Sequence, residues 1–327
     1  MSETDNLKQL MTGPLRAPQA RKFSGQETLK LDRNIPKNTS HLSFHHGENI
    51  IFDKEEDAWV INRSGHLNIE LEITQKQGLV FIPDLRRVSS GPDDDILKIE
   101  LNGYEWKESI DSRNLNFHKQ SWYLPHYKMV AGSNVISIGV RRDAGTNVML
   151  KSISVMRFEL EQQRKENWCW AAVTASITNY LNDEKSISQC EVVNHCFGMH
   201  LAAGKAPDCC KNEESKKCDL PFSLTDALEA MGMRVSRSNY PLSLDELKEQ
   251  IVSGLPIAIR IGWSGVDGGA HFVVITAVGP EHPDGDDSTW IRVADPYEKA
   301  ASYIPFGKLR DNYRGDGRWT HTYLVRR

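Results

Sequence analysis

Between about residue 45 and residue 158 the apolar residues keep a period of two. Leu67, Ile69, Leu71 and Ile73 alternate with Asn68, Glu70, Glu72 and Thr74, and Leu97, Ile99 and Leu101 alternate with Lys98, Glu100 and Asn102. Ile136, Ile138 and Val140 repeat the pattern. Successive side chains of a strand point to opposite faces, so these segments predict half-buried strands. Asn102-Gly103, between ILKIEL and YEWKES, is a hairpin signal, because a tight two-residue turn needs positive φ at both positions. Gly132-Ser133-Asn134 and Asp143-Ala144-Gly145 punctuate the later strands. Many short strands with turns between them predict an all-β sandwich over residues 41–158. Residues 1–40 mix Pro, Lys, Arg, Ser and Gln without periodicity and predict a flexible arm.

After about residue 160 the period lengthens. Val173, Ile177 and Leu181 recur at helical spacing within Trp168–Leu181. Ser223-Leu-Thr-Asp226 opens a second helix that runs through Met231 and stops at Gly232; Ser243-Leu-Asp-Glu246 is a capping box for a third that ends at Gly254. Strand patterns follow over 256–261, 271–278, 290–294 and 319–325. Helices first and an antiparallel-type sheet afterwards predict an α+β domain over residues 159–327, the second of two. The link near 158–163 is short and charged, so the two domains are expected to touch.

The start of the first of these helices raises a chemical question. In EQQRKENWCWAAVTASI a single thiol, Cys169, lies between Trp168 and Trp170. With Asn167 as the expected N-cap, Cys169 falls in the first turn, where backbone N–H groups and the helix dipole favour thiolate over thiol. A nearby imidazole would complete a reactive pair. His271 is the strongest candidate of eleven histidines: it opens the apolar strand of GGAHFVVITAV, and a titratable group entering a buried strand needs a partner. Asp295, at the end of the next strand pattern in TWIRVADPY, can hold the ring in one tautomer if the two strands are neighbours. Gln163, six residues before Cys169, is a candidate oxyanion donor together with the Cys169 N–H; Gln162 is the alternative if the turn differs by one residue. His321 is the fallback base. Trp170 and Trp263 are candidates to shape a substrate pocket, although tryptophans flanking a buried helix more often belong to the core.

The other five cysteines, 190, 196, 209, 210 and 218, fall within 29 residues. An odd set allows at most two internal disulfides and one free thiol. The vicinal pair Cys209-Cys210 suits zinc poorly, because adjacent side chains rarely turn both thiolates to one ion; disulfides are therefore expected, with zinc (through His195 or His200) and a reduced cluster as the alternatives.

Taken in order, Q-x5-C-W with a small-residue helix, then GLPIAIRI, GGAHFVVI and V-A-D-P resemble a papain-like cysteine peptidase over about residues 160–327. The likeness is to bacterial branches, the effector-type proteases and the bacteriocin-processing peptidases. The resemblance implies Cys169 as nucleophile, His271 as base, Asp295 as the residue orienting it, and Gln163 as oxyanion donor, acting on a protein or peptide substrate without a cofactor or metal. The Asp, where plant papains have Asn, suits the bacterial branches, and the cysteine-rich stretch 190–218 departs from the plain papain pattern. Stretches of the first half, such as LKIELNGYEW and VMLKSISVMRF, resemble the jelly-roll, galactose-binding-like modules of secreted enzymes, which implies a glycan or protein ligand. Trp59, Trp106, Trp122 and Tyr123 are the candidate sugar platforms there, and Asp93-Asp94-Asp95 a candidate calcium loop; core packing and a solvated acidic loop are the ordinary readings.

A net charge of −4, from 40 basic and 44 acidic residues, gives no reason to expect nucleic acid as partner. No apolar run reaches the ~20 residues of a membrane span. The polar N-terminus lacks the apolar middle of a secretory signal, whereas the cysteines favour an oxidising space, so export by a route that reads no such signal is expected, with a cytoplasmic location as the alternative. A deamidase or acyltransferase using the same residues, and an inactive binding protein, are the competing functions.

Overall fold

The alternation of the first half becomes two facing sheets. The structure, a computed structural model, describes residues 25–30, 42–45, 47–73, 79–89, 96–106, 115–124, 128–182, 186–200, 207–212, 214–264, 269–279, 284–298 and 301–327. Among these residues the first half forms β1 (Gly25–Lys30), β2 (Leu42–His45), β3 (Ile50–Asp53), β4 (Ala58–Ile61), β5 (His66–Ile73), β6 (Leu79–Arg87), β7 (Leu97–Leu101) and β8 (Tyr104–Trp106). It continues with β9 (His118–Lys119), β10 (Trp122–Leu124), β11 (Gly132–Val140) and β12 (Val148–Arg157). One sheet runs β10-β6-β12-β4-β3, with β1 on β12 and β9 on β6; the other runs β2-β5-β11-β7-β8.

Period two decides what lies between them. Phe81, Leu85, Leu150, Ile153 and Val155 from the first sheet meet Leu67, Ile69, Ile99, Leu101, Ile136 and Ile138 from the second in one buried cluster. Each such side chain contributes roughly 1.5–3 kcal/mol on leaving water. The result is a β-sandwich. The hairpin at Asn102-Gly103 joins β7 to β8 with φ of 51° and 79°, the doubly positive turn that this dipeptide favours. Trp59 and Trp122 are buried in the core, with Trp122 stacked on Phe81 at 6.0 Å. The expected arm is corrected in part: Gly25–Lys30 pairs antiparallel with β12. The remainder of residues 1–40, Asp93-Asp94-Asp95, and the side chains of Trp106 and Tyr123 lie outside what the structure describes.

The second half carries α1 (Cys169–Leu181), α2 (Gln189–His200), α3 (Leu224–Ala230), β13 (Arg234–Ser238), α4 (Leu244–Val252), β14 (Ile257–Trp263) and β15 (Ala270–Val278), then β16 (Trp290–Ala294), β17 (Ser302–Pro305), α5 (Phe306–Asp311) and β18 (Gly317–Arg326). Its six strands order β13-β18-β14-β15-β16-β17, with every neighbouring pair antiparallel. The start signals hold at α3 and α4: Ser223 and Ser243 cap through their hydroxyls, Ser243 in a full capping box, and Gly232 and Gly254 follow the helices with φ of 79° and 75°. α1 is buried on nearly every side, as a helix apolar all round must be. The sandwich also touches this half. Val80, Ile82 and Met156 point away from the sandwich core and join Phe158, Tyr180 and the rest of the second cluster. Phe158 meets Tyr180 edge-on at 5.5 Å, at the short charged link.

Candidate active site

α1 starts at Cys169, and the cap residue is Trp168, which makes no side-chain cap bond. The expected Asn167 cap is thus corrected: the Asn167 side chain donates to the Asp219 carbonyl at 3.2 Å, and its backbone N–H donates to Asp219 Oδ1 at 2.8 Å. The flanking tryptophans follow the same partner. Trp168 Nε1 donates to the Cys218 carbonyl at 2.7 Å and Trp170 Nε1 to the Leu220 carbonyl at 3.0 Å. Segment 218–220 therefore holds three residues around the thiol, and it starts at the last residue of the cysteine-rich stretch. Disulfides join Cys190 to Cys210 and Cys209 to Cys218, leaving Cys196 and Cys169 as buried free thiols. Burial, with Asp226 nearby, pushes the Cys196 thiol up to about 12, which makes it inert near neutrality. Among the described residues no group of His, Cys, Asp or Glu is arranged to hold a metal ion.

α2, which sequence patterning does not reveal, also supports the approach to Cys169. Gln189, 1% exposed, accepts from the Arg164 N–H at 3.1 Å and donates to the Gln162 carbonyl at 2.9 Å and to Glu161 Oε2 at 3.1 Å. Gln163 donates through Nε2 to the carbonyls of Lys165 at 2.9 Å and Glu166 at 2.7 Å. Both of its amide hydrogens are thereby engaged in the turn that delivers Cys169. Gln162 donates to the Tyr297 carbonyl at 3.4 Å.

β15 and β16 are neighbours, with Val274 opposite Ala294, so the start of one and the end of the other bring His271 and Asp295 together. His271 Nε2 lies 2.7 Å from Asp295 Oδ1. Burial alone would lower the imidazole pKa, but hydrogen bonding to Asp295 and to Cys169, with the charges of both, outweighs it and the pKa is pushed up to about 9. Nε2 is taken by the carboxylate, so Nδ1 is the ring nitrogen left for Cys169. Asp295 has four partners. Besides His271, Oδ1 accepts from the Tyr297 N–H at 2.8 Å; Oδ2 accepts from Tyr313 Oη at 2.7 Å and pairs with Arg314 at 2.8 Å. Burial would raise this carboxyl, yet the His271 bond and charge and the Tyr313 and Tyr297 hydrogen bonds hold it below the usual range.

No motif in the sequence singles out Tyr313 and Arg314. The signal available was DNYRGDG, a turn-rich stretch before the last strand. It folds as a tight return in which Tyr313 pairs with Gly317, while Arg314 and Gly315 take positive φ. Gly317 admits no side chain: a Cβ there would stand 2.6 Å from Ile261 and 2.7 Å from Trp263. Trp263 packs at 6.4 Å from the Tyr313 ring, and so supports the Asp295 partner rather than lining the depression around Cys169.

That depression, about 440 Å³, is lined by Cys169, His271 and Trp170, with Phe222 and Phe272 among its walls. Trp170 itself is buried against Phe222, ring centroids 5.0 Å apart. His321, the fallback base, lines the same depression, bonded to Thr320 Oγ1 at 3.0 Å. On the sandwich a separate depression of about 680 Å³ is lined by His66, Lys98, Glu100, Glu105 and Arg141 among others, with Lys98 paired to Glu100 at 2.7 Å and no Trp, Tyr or Phe among the described residues of its walls.

The Peptidase_C39 like family matches residues 155–321, a little over half of the 327 residues. Nothing matches among curated proteins. Solved structures align with a part of the chain. The C-terminal CBM6 of LamC, a marine laminarinase from Zobellia galactanivorans, aligns at 10% identity and a TM-score of 0.29 over 40% of this chain and 99% of its own. A family 35 carbohydrate binding module from Clostridium thermocellum aligns at 13% identity and a TM-score of 0.28, over 36% of this chain and 100% of its own.

Proposed function

Because the chain belongs to the Peptidase_C39 like family, a family of cysteine peptidases, we propose that it hydrolyses peptide bonds through Cys169, His271 and Asp295 in a papain-like arrangement. The observation that carries this reading is one imidazole that is bonded to a buried, four-partnered carboxylate, lines the same depression as Cys169, and has its pKa raised by the thiol as well as by the carboxylate.

In the proposed reaction the imidazole, held by Asp295, takes the Cys169 proton through Nδ1. The sulfur attacks the substrate carbonyl. The oxyanion meets the Cys169 backbone N–H, which has no partner inside the helix because it belongs to the first turn. His271 then protonates the leaving amine, and water, deprotonated by the same ring, hydrolyses the thioester. Gln163 braces the turn before Cys169 through its two carbonyl bonds. It joins the oxyanion site only by releasing one of them. No step calls for a cofactor. The two disulfides suit an oxidising space, so we place the mature protein outside the reducing cytoplasm, as an exported protease of the effector kind. In this reading residues 159–327 are the catalytic domain and 41–158 an accessory domain whose ligand, glycan or protein, is recognised on the sandwich.

Cleavage of casein, with Cys169→Ala as control, tests the proposal together with mass spectrometry of the alkylated protein. Peptide products from the native chain alone, and selective alkylation of Cys169, are expected. Ammonia release without chain scission would replace hydrolysis by deamidation.

A further inference from the structure

Around the depression the charges are sorted. Its sheet side carries Arg237 on β13 and Arg260 on β14, and His321 and Tyr323 on β18. Register places these on one face. Arg237 is opposite Tyr323, Ala258 is opposite Tyr323, and Arg260 is opposite both His321 and Phe272; residues two apart on β18 and β14 share a face. The two guanidinium groups are thus set across β18 from each other, with an imidazole and a phenol between them.

Neither arginine makes an ion pair among the described residues. Arg260 donates to Thr320 Oγ1 at 2.9 Å, a neutral partner. The contrast with other arginines of this half is direct: Arg314 pairs with Asp295 and Glu298, and Arg310 with Asp287 and Asp311. The positive field reaches its neighbours. Burial first, then Arg260 and Arg237, lowers the His321 pKa, so that imidazole stays neutral beside them. Among the described residues of the lining, Glu166 is the one carboxylate, and it belongs to the turn before α1, on the helix side. Cys169 and His271 open into the same space.

We propose that Arg237 and Arg260 form a carboxylate-recognition subsite beside Cys169, so that the preferred substrate presents a carboxylate close to the bond that is attacked. This deepens the peptidase reading and rests on it. A planar guanidinium matches a carboxylate with two parallel hydrogen bonds, and a partly desolvated cleft strengthens such a bond relative to open surface. Two guanidinium groups on one face can take both oxygens of one carboxylate. Phe272 and Tyr323, edge to face at 5.9 Å, give the aliphatic stem of a Glu or Asp an apolar wall. The carboxylate has two sources, an acidic side chain or the free C-terminus of a peptide.

Two measurements test this. In the first, the rates at which iodoacetate and iodoacetamide alkylate Cys169 are compared in the native protein, in Arg237→Gln/Arg260→Gln, and in Arg260→Lys, each checked for an unchanged melting profile. The anionic reagent is expected to gain about tenfold over the neutral one in the native protein relative to the double Gln variant, with Arg260→Lys between them. In the second, peptides differing by a single Glu or Gln at each position near the cut, with free or amidated C-termini, are compared by kcat/KM. A preference of about tenfold for Glu at one position assigns the side chain; a preference for the free over the amidated terminus assigns the C-terminus; in either case the ratio should approach one in the double variant. A reagent ratio the same in all three proteins, or a peptide preference that survives loss of both arginines, overturns the subsite while leaving the peptidase reading intact. A Cys169 inert to both reagents removes the peptidase reading and the subsite with it.

Discussion

The indole N–H of Trp168 donates to the carbonyl oxygen of Cys218 at 2.7 Å, tying the residue before the candidate nucleophile to a loop closed by a disulfide. Trp170, one residue beyond the thiol, is tied to the same segment through Leu220. Two large side chains flank Cys169 because each carries one hydrogen-bond donor that fixes the thiol to a covalently closed loop; their bulk in the core is only half of their role.

Opening that loop should therefore loosen the thiol as well as the fold. A Cys209→Ser/Cys218→Ser variant frees a nine-residue separation, which by chain entropy costs about 2–3 kcal/mol. The melting temperature is expected to fall by roughly 5–10 °C. At a temperature where the variant is still folded, iodoacetamide should alkylate Cys169 about tenfold more slowly than in the native protein. An unaltered alkylation rate beside a lowered melting temperature would confine the disulfide to a purely stabilising role.

The raised His271 pKa gives a second expectation. The imidazole has a folded pKa near 9, above its unfolded value of about 6.5. The stability that its proton contributes is fully present below about pH 6.5 and is lost as pH rises through 9. Asp295→Asn removes the charge and one acceptor that hold this proton. The melting temperature of the variant should then lose the decline that the native protein shows from pH 6.5 to 9.5. The alkaline limb of Cys169 alkylation should move to lower pH, and peptide cleavage should fall about 10²–10⁴-fold. A pH profile identical in the two proteins would separate Asp295 from the imidazole.

Tyr313 acts on the same carboxylate from the other side. Tyr313→Phe removes the 2.7 Å bond to Asp295 Oδ2 but leaves Arg314, Tyr297 and His271 in place. A net hydrogen bond to a charged group is worth about 1.5–3 kcal/mol, part of which the arginine recovers. The expected loss in kcat is about tenfold with KM little changed. Asp295, whose folded pKa is depressed, contributes stability above about pH 4 that is lost as pH falls through that depressed value; in Tyr313→Phe the acid loss should begin at higher pH.

What could be read in advance follows the range of the physics involved. Period-two alternation at Leu67–Ile73 and Ile136–Val140 is local, and so are the Ser243 capping box and the Asn102-Gly103 turn; each appears where its residues predict it. The meeting of His271 with Asp295 was legible because each stands at the boundary of a strongly patterned element, and a strand order that pairs β15 with β16 is enough to join them; Cys169 stands in the same way at the start of α1. The support around them was not legible. Gln189 sits in a helix with a weak apolar face, Tyr313 in a turn, and Asp219 directly after a run of cysteines whose pairing no spacing could assign. Their partners are 25, 18 and 52 residues away, and contacts at such separations are set by packing. The expected Asn167 cap fails for the same reason: a locally suitable side chain is drawn off by a distant residue, Asp219, which offers both an acceptor carboxylate and a carbonyl.

Gln163 provides the last expectation, because its sequence position and its bonding point to different roles. Spacing makes it a candidate oxyanion donor; its two N–H groups are on the carbonyls of Lys165 and Glu166. Alkylation by iodoacetamide develops no oxyanion at a carbonyl, whereas peptide cleavage does, so the two reactions separate the roles. A residue that only stabilised the oxyanion would leave alkylation unchanged in Gln163→Ala and lower kcat by about 10²–10³-fold. A residue that shapes the turn slows both. The two carbonyl bonds predict the second outcome: in Gln163→Ala, alkylation of Cys169 should slow several-fold, the melting temperature should fall, and kcat should drop at least as far as alkylation does. Unchanged alkylation with a large loss of kcat would mean that substrate binding swings the amide off those carbonyls and into the oxyanion site.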